Sequence, residues 1–227
     1  MLNHLHSQGF FQPDLRFTES ELLAIEQGLA DSGLLSGRSH GVRRILKKVQ
    51  TLQRLVFTPQ LKELCGSFGS GFQCVKSLYF NKPERSNWIV PWHQDLFINV
   101  REKAEVPGFR QWQKRVGYCS VQPPLSILEN TITLRIHLDD SNRTSGGMKV
   151  LPRTHLDGIR DLSALSERET EEAVLPTLKR GDLLVSKPLL LHASGKSQSP
   201  RPRRVLHLEF CALPLPPPLV WEEAYRL

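Results

Sequence analysis

Three pairs of a histidine and an aspartate, each separated by one residue, have the clearest metal-binding spacing in this sequence. They are His93/Asp95, His137/Asp139 and His155/Asp157. Side chains two residues apart on an extended segment point to the same side, so each pair presents an imidazole and a carboxylate together. With a distant histidine, such a pair forms a face of three ligands around iron and leaves the other positions open. The spacing alone does not choose among the three pairs.

The residues around the first pair set it apart from the other two. Asn81-Lys82-Pro83 precedes Pro91-Trp92-His93-Gln94-Asp95, and further motifs follow in order. These are Ser145-Gly146-Gly147-Met148, Val150-Leu151-Pro152-Arg153-Thr154-His155, Gly181-Asp182, Leu191-His192-Ala193-Ser194-Gly195 and Arg203. Together the motifs cover roughly Gln73 to Phe210.

These ordered motifs resemble those of the phytanoyl-CoA dioxygenase family, whose members are Fe(II)- and 2-oxoglutarate-dependent oxygenases. The resemblance implies that His93, Asp95 and His192 are the iron ligands and form the catalytic centre. It also implies that the cofactors are Fe(II), 2-oxoglutarate as co-substrate, and dioxygen. His155 occupies the position of a loop residue in the family, and a structural role is therefore expected for it.

The same resemblance assigns the distal carboxylate of 2-oxoglutarate to Arg203, aided by the hydroxyl of Ser194. A guanidinium offers a planar, two-pronged donor to a carboxylate, which lysine cannot match. Arg204 is adjacent on a predicted strand, and we expect it to point to the opposite face of the sheet. One arginine of the two is therefore predicted to face the co-substrate.

Arg135 and His137 stand where the family commonly has a tryptophan and a small residue. Both lie on the polar face of a predicted strand, Thr131 to Leu138, whose other face is aliphatic. If the polar face lines the barrel, an arginine and a histidine near the iron suit an anionic group, and both are then substrate-binding candidates. The alternative is a polar face that is turned to solvent or satisfied by Glu209 and its neighbours.

Asp95 also bears on the type of reaction. Related iron halogenases replace this carboxylate by a small residue, so its presence favours hydroxylation. We expect a dioxygenase that hydroxylates a small, anionic organic substrate and releases succinate and carbon dioxide. One alternative is a cupin-like, metal-dependent enzyme without oxidation, or a binding module in which the metal only stabilises the fold.

Composition and charge restrict the remaining possibilities. The net charge is +7, which permits an anionic partner, but the basic residues are spread along the chain and its aromatic content is only 7%. A nucleic-acid-binding or repair dioxygenase is therefore a further alternative rather than the expectation.

No apolar run approaches the ~20 residues of a membrane span, and the N-terminus lacks a secretory pattern, so a cytoplasmic protein is expected. The four scattered cysteines predict free thiols.

The surrounding pattern predicts the elements that must position these side chains. A capping box at Thr18 to Glu21 and a Thr58-Pro59 start predict two helices, within a helical part of about 1–70. Short apolar runs then predict a barrel at about 71–213, with a less regular, lid-like insertion at about 97–130. The fold expected is mainly β, a jelly-roll or double-stranded β-helix in a single domain of residues 1–227. The predicted strands are Gln73 to Phe80, Thr131 to Leu138, Met148 to Leu151, Asp182 to Ser186 and Arg204 to Phe210.

Overall fold

The computed structural model describes residues 2–34, 41–82 and 88–227. Its helices are α1 (Leu2–Gln8), α2 (Glu19–Asp31), α3 (Ile45–Lys48), α4 (Thr51–Val56), α5 (Pro59–Gly66), α6 (Leu125–Glu129) and α7 (Glu167–Glu171), with 3-10 turns at Thr154–Asp157 and Leu162–Ala164. Its strands are β1 (Phe10–Phe11), β2 (Gly41–Arg43), β3 (Gln73–Lys82), β4 (Val90–His93), β5 (Ile98–Val100), β6 (Arg110–Arg115), β7 (Tyr118–Gln122), β8 (Thr131–His137), β9 (Met148–Val150), β10 (Leu183–Ser186), β11 (His192–Ser194), β12 (Arg203–Cys211) and β13 (Tyr225–Arg226). Among the described residues, none of the helices combines the length and apolar composition that crossing a bilayer requires.

Two antiparallel sheets form the body of the fold. The large sheet has the strand order β1-β10-β8-β12-β3-β13, with β2 also paired to β3. The small sheet has the order β4-β11-β9. A cavity is lined by residues of β3, β8 and β12 on one side and of β4, β9 and β11 on the other, so it lies between the two sheets. This is the predicted jelly-roll with N-terminal helices.

The two faces of the large sheet have different partners because strand side chains alternate. On β8, Leu134 and Ile136 belong to a hydrophobic cluster that also contains Leu22 and Ile25 of α2. Arg135 and His137 on the opposite face line the cavity. The N-terminal helices therefore cover one face of the sheet and leave the other face to the site.

The two predicted helix starts are confirmed. Thr18 caps α2 with a capping box, in which its side chain accepts from the Glu21 backbone and Glu21 reaches back to Thr18. Thr58 caps α5 by accepting from the amide of Leu61, with proline in the first turn. The five predicted strands are also present, with ends that differ by up to two residues.

The expectation of irregular structure at 97–130 is wrong. β5, β7 and β6 pair in that order into a further antiparallel sheet, followed by α6. Val121 and Trp221 are buried in a separate hydrophobic cluster beneath this sheet. The sequence obscured these strands because β6 is largely polar and shifts register between Arg110 and Gln113, which interrupts the alternation that identifies a strand.

Candidate metal centre and its cavity

His93, Asp95 and His192 come together on one side of the cavity. His93 ends β4, His192 begins β11, and the two residues are direct partners in the antiparallel register. The rings of the two histidines are 4.1 Å apart between centroids. Asp95 Oδ1 lies 4.0 Å from His93 Nε2 and Asp95 Oδ2 lies 3.6 Å from His192 Nε2. All three ligand atoms lie within 4.8 Å of one another, a spacing that fits a single metal ion.

Backbone carbonyls orient both imidazoles. His93 Nδ1 lies 2.9 Å from the carbonyl of Pro91, and His192 Nδ1 lies 2.9 Å from the carbonyl of Leu190. A carbonyl only accepts, so each Nδ1 carries the proton and each Nε2 presents its lone pair to the centre. Burial lowers the pKa of His192 to about 3, which keeps its ring neutral and able to bind a metal.

Asp95 is ionised although it is partly buried. Burial opposes its ionisation, but electrostatic interactions with His192, His207 and Arg135 hold the pKa of Asp95 well below its usual value, and the Arg135 guanidinium is the partner that stays charged at neutral pH. Its backbone amide donates to the carbonyl of Pro188 at 2.9 Å, which ties the carboxylate to the loop that precedes His192. The site therefore offers one carboxylate and two imidazoles, each with its Nε2 turned to the centre.

Gln94 points away from the other two side chains and fixes the turn between them. Its Nε2 donates to the carbonyls of Gly158 and Leu189 at 2.8 and 2.6 Å. Its Oε1 accepts from the amide of Arg160 at 3.0 Å. Every polar atom of this amide side chain is used, so the chain holding His93 and Asp95 is anchored on two neighbouring loops.

The cavity beside the triad has a volume of about 200 Å³. One end of it is cationic. Arg203 faces this end, and its buried Nε has no hydrogen-bond partner among the residues that the structure describes. Lys82 is the direct register partner of Arg203 and donates to Ser194 Oγ at 3.2 Å and to the carbonyl of Gly195 at 2.7 Å. Burial and then the charge of Arg203 lower the pKa of Lys82 to about 8.

Arg204 lies on the opposite face, as the alternation predicts. Its guanidinium donates to both carboxylate oxygens of Asp139, at 2.8 and 2.7 Å, and to Glu26 at 2.7 Å. Arg203 and Arg204 thus face different layers, one the cavity and the other the ion pairs beneath α2. An arginine with an unsatisfied, buried nitrogen beside a serine hydroxyl suits a carboxylate ligand.

Arg135 and His137 both face the cavity, and neither is turned to solvent. Arg135 Nη1 donates to Ser186 Oγ at 3.0 Å, while its Nη2 lies 3.4 Å from Asp95 Oδ2 and 3.4 Å from His192 Nε2. His137 is buried, and within the described part of the chain neither of its ring nitrogens has a hydrogen-bond partner. Burial and nearby arginines lower the pKa of His137 to about 3, so the ring is neutral.

The other two histidine–aspartate pairs do not form a centre. Asp139 is taken by Arg204, on the opposite side of the sheet from His137. His155 Nε2 donates to the carbonyl of His6 at 3.0 Å, which joins α1 to the loop after β9. The structural role expected of His155 agrees with this contact.

A second cluster adjoins the triad. Asp95, His207 and Glu209 have ligand atoms within 4.8 Å of one another. Glu209 Oε1 already binds Lys76 Nζ at 2.8 Å and His207 Nε2 at 3.0 Å. The ammonium of Lys76 supplies the positive charge that a metal would otherwise bring, so this cluster is a buried ion pair with a histidine.

Some residues of the site were missed from the sequence. Lys82 belongs to the Asn81-Lys82-Pro83 motif, but the sequence predicts no role for its side chain, and Pro83 lies outside the described residues. His207 and the apolar rim were not expected at all. The alternation of side chains along the strands could have located them. Lys82 and Phe80 lie on one face of β3, and Arg203 and His207 lie on the same face of the sheet on the neighbouring strand β12. The apolar lining consists of Phe80, Trp88, Val90, Met148, Ala193 and Val205.

The family model described as phytanoyl-CoA dioxygenase (PhyH) matches residues 23–205, which is most of the chain. The chain belongs to the phytanoyl-CoA dioxygenase family. This membership confirms an enzyme of the Fe(II)- and 2-oxoglutarate-dependent oxygenase superfamily. The donor set of two imidazoles and a carboxylate agrees with its cofactors Fe(II), 2-oxoglutarate and dioxygen.

Solved structures share the fold of this phytanoyl-CoA dioxygenase family member at low identity. EvdMO1 is 21% identical over 92% of this chain and 49% of its own, with a TM-score of 0.67, so the chain spans about half its length. SnoK, a non-heme alpha ketoglutarate dependent carbocyclase from nogalamycin biosynthesis, is 17% identical over 92% and 82%, with a TM-score of 0.69. EctD from S. alaskensis, solved with 2-oxoglutarate and 5-hydroxyectoine, is 18% identical over 92% and 74%, with a TM-score of 0.68. No curated protein matches the sequence significantly.

Proposed function

We propose that the protein is a hydroxylase in which His93, Asp95 and His192 bind Fe(II). The observation that carries the proposal is the convergence of their three ligand atoms within 4.8 Å at the wall of a cavity. Two imidazoles and one carboxylate leave the remaining positions of an iron open. The backbone carbonyls that hold each Nδ1 fix the tautomer that such binding needs.

We further propose that Arg203, Ser194 and Lys82 bind the distal carboxylate of 2-oxoglutarate. Arg203 contributes a buried nitrogen without a partner, and Ser194 and Lys82 contribute a hydroxyl and an ammonium that already contact each other. Among the described residues that line this end, Asp95 is the one carboxylate and it belongs to the triad, so a carboxylate ligand beside Arg203 and Lys82 is stabilised. A carboxylate held here directs the opposite end of the co-substrate toward the triad.

Bound Fe(II) and 2-oxoglutarate supply the chemistry, in which dioxygen oxidises a substrate C–H bond and succinate and carbon dioxide are released. The protein orients the reactants and excludes water. Phe80, Met148 and Val205 give the cavity an apolar lining that favours the hydrocarbon part of a substrate. The cavity of about 200 Å³ among the described residues suits the co-substrate together with the reacting end of a small substrate.

We propose that this substrate is anionic and that Arg135 and His137 contact it. The lining includes the cations Lys82, Arg135 and Arg203 but a single carboxylate, that of Asp95, among the described residues. The net charge of these four side chains is +2. Fe(II) and the doubly negative 2-oxoglutarate cancel each other, so the net charge of the loaded cavity stays at +2, which favours a further anion. His137 is neutral and offers one donor and one acceptor without partners, suited to a polar group of the same molecule.

Turnover of 2-oxoglutarate, measured as succinate formed, tests the metal site. His192→Ala and Asp95→Ala are expected to abolish it, because each removes one of three ligands. His155→Ala, a histidine from another pair outside the cavity lining, is the matched control and is expected to retain it. Full turnover in His192→Ala would refute the site, and Fe(II) binding by the wild type without any turnover would favour the non-oxidative alternative.

The type of oxidation needs its own measurement. A screen of small carboxylates and phosphates is scored by succinate release, followed by mass spectrometry of the product. We expect the product to gain one oxygen atom. A product that loses two hydrogens without gaining oxygen would instead indicate ring closure or desaturation.

We also propose a cytoplasmic location. All four cysteines are free thiols, three of them buried, which agrees with a reducing compartment. Fractionation of cells followed by immunodetection tests this. Recovery with the periplasmic, luminal or membrane fraction would contradict it.

A further inference from the structure

The position of Arg135 carries a consequence for how the metal binds. Arg135 Nη2 lies 3.4 Å from Asp95 Oδ2 and 3.4 Å from His192 Nε2, and these two atoms are 3.6 Å apart. The three atoms form a nearly equilateral triangle. One cationic nitrogen therefore donates toward two of the three ligand atoms of the metal site.

The direction of this contact matters as much as its length. Because His192 Nδ1 donates to the carbonyl of Leu190, Nε2 is the acceptor of the ring. Arg135 points at that lone pair, which is the pair that a metal ion would use. The guanidinium is also held at its other end by Ser186 Oγ at 3.0 Å, and the arginine is buried. It is a fixed part of the site rather than a mobile surface group.

We propose that Arg135 couples metal binding to the binding of a carboxylate in the same cavity. A divalent ion at His93, Asp95 and His192 is brought against a buried positive charge, which weakens its binding. A carboxylate that pairs with Arg135 neutralises this charge and frees the ligand lone pairs. The inference rests on the proposed iron site and extends it, since it concerns metal affinity and not turnover.

Linkage requires the coupling to be reciprocal. A carboxylate that tightens metal binding by some factor is itself bound more tightly, by the same factor, when the metal is present. The enzyme would then hold its metal firmly only together with an anionic ligand. The carboxylate belongs either to the co-substrate, at the end opposite to Arg203, or to the substrate.

Binding of Mn²⁺, followed by electron paramagnetic resonance of the free ion, tests the coupling without any turnover. In perchlorate buffer, Arg135→Gln is expected to bind Mn²⁺ about ten-fold more tightly than the wild type, a typical coupling. Acetate is expected to tighten Mn²⁺ binding in the wild type and to have little effect in Arg135→Gln. Arg204→Gln, an arginine on the opposite face of the same sheet, is expected to behave as the wild type.

Saturating 2-oxoglutarate identifies the source of the carboxylate. If 2-oxoglutarate alone abolishes the difference between wild type and Arg135→Gln, the coupled carboxylate is that of the co-substrate. If the difference persists until acetate is added as well, it is that of the substrate. Either result supports the coupling.

Equal Mn²⁺ affinities of wild type and Arg135→Gln in perchlorate, or an equal effect of acetate on both, would overturn the coupling alone. A wild type that binds no Mn²⁺ even with 2-oxoglutarate would refute the proposed metal site together with it. Circular dichroism and thermal melting establish that Arg135→Gln is folded. Arg135→Met is the second neutral replacement, with the same expected results, should the glutamine variant fail to fold.

Discussion

Arg203 and Arg204 are adjacent on β12 but contact different parts of the molecule. Arg203 has a buried Nε without a partner in the cavity, whereas Arg204 binds Asp139 and Glu26 beneath the helices. Alternation along β12 separates them, since successive side chains of a strand point to opposite faces. The same rule places Lys82 beside Arg203 across the strand pair. The alternation of side chains along β12 therefore decides which charged groups face the cavity.

Replacement by lysine is expected to change a different property at each of the two arginines. Arg203→Lys is expected to raise the Kd of 2-oxoglutarate about ten-fold or more, about 1.4 kcal/mol, because an ammonium lacks the two-pronged donor. Arg204→Lys is expected to leave this Kd unchanged and to lower the free energy of unfolding by about 1–2 kcal/mol, through loss of the paired bonds to Asp139. Calorimetry and denaturant unfolding measure the two quantities. Equal Kd changes in both variants would show that the parity assignment is wrong.

Gln94 predicts a loss of metal affinity from a residue that binds no metal. Gln94→Ala removes hydrogen bonds to Gly158, Leu189 and Arg160, which anchor the turn between His93 and Asp95. We expect Mn²⁺ to bind at least about ten-fold more weakly, as when supports behind metal ligands are removed. Gln113→Ala, on the exposed strand β6, is the control with no expected change. Unchanged Mn²⁺ affinity in Gln94→Ala would mean that the turn is held by its backbone alone.

At the scale of elements, the long strands and two short apolar ones, β9 and β10, were predicted from the sequence, whereas the short strands that carry the two histidines were not. β3, β8 and β12 are seven to ten residues long, enough for alternation to appear in the sequence. β11 has three residues and β4 has four, too few to show a period of two. His93 and His192 lie on these two strands, so only the resemblance to a family located them. Lys82 and His207 were missed because their roles depend on pairing between distant strands.

Replacement of a side chain by alanine is expected to have different effects on the two faces of β8. Ile136 is fully buried against the helices, and Ile136→Ala is expected to lower the free energy of unfolding by about 2–5 kcal/mol. His137 faces the cavity without hydrogen bonds, so His137→Ala is expected to cost less stability and to weaken substrate binding instead. Denaturant titration and ligand binding separate the two effects. A larger loss of stability from His137→Ala would show that the ring packs as core.

At the scale of the whole molecule, the C-terminal segment ties distant parts together. Glu222 binds Arg44 and Lys47 beside the start of α3, at 2.9 and 2.6 Å. Glu223 accepts from the amide and the hydroxyl of Ser77 on β3, at 3.0 and 2.5 Å. Both glutamates are buried, and they connect the last residues of the chain to strand β3 and to the start of α3.

Glu223 predicts how stability depends on pH. Burial raises its pKa from 4.5 to about 7. The folded protein therefore binds a proton that the unfolded chain has released between these values, and the contribution of Glu223 to stability falls as pH rises from about 4.5 to 7. The loss is expected to reach about 2–3 kcal/mol. In Glu223→Gln, which cannot ionise, this slope should be absent; denaturant unfolding across the range compares the two proteins, and identical slopes would contradict the assignment.

The sheet at 97–130 packs on a hydrophobic cluster that it shares with Val75 of β3 and Cys211 of β12, and none of the described residues that line the cavity comes from the segment 97–130. For protein engineering, this means that substitutions in the exposed loops of the segment lie outside the described cavity lining. Loops within it are suitable places to insert a tag, a fluorophore or a longer connection without touching the triad. The exposed turn at Val116, between β6 and β7, is the natural first choice for such an insertion.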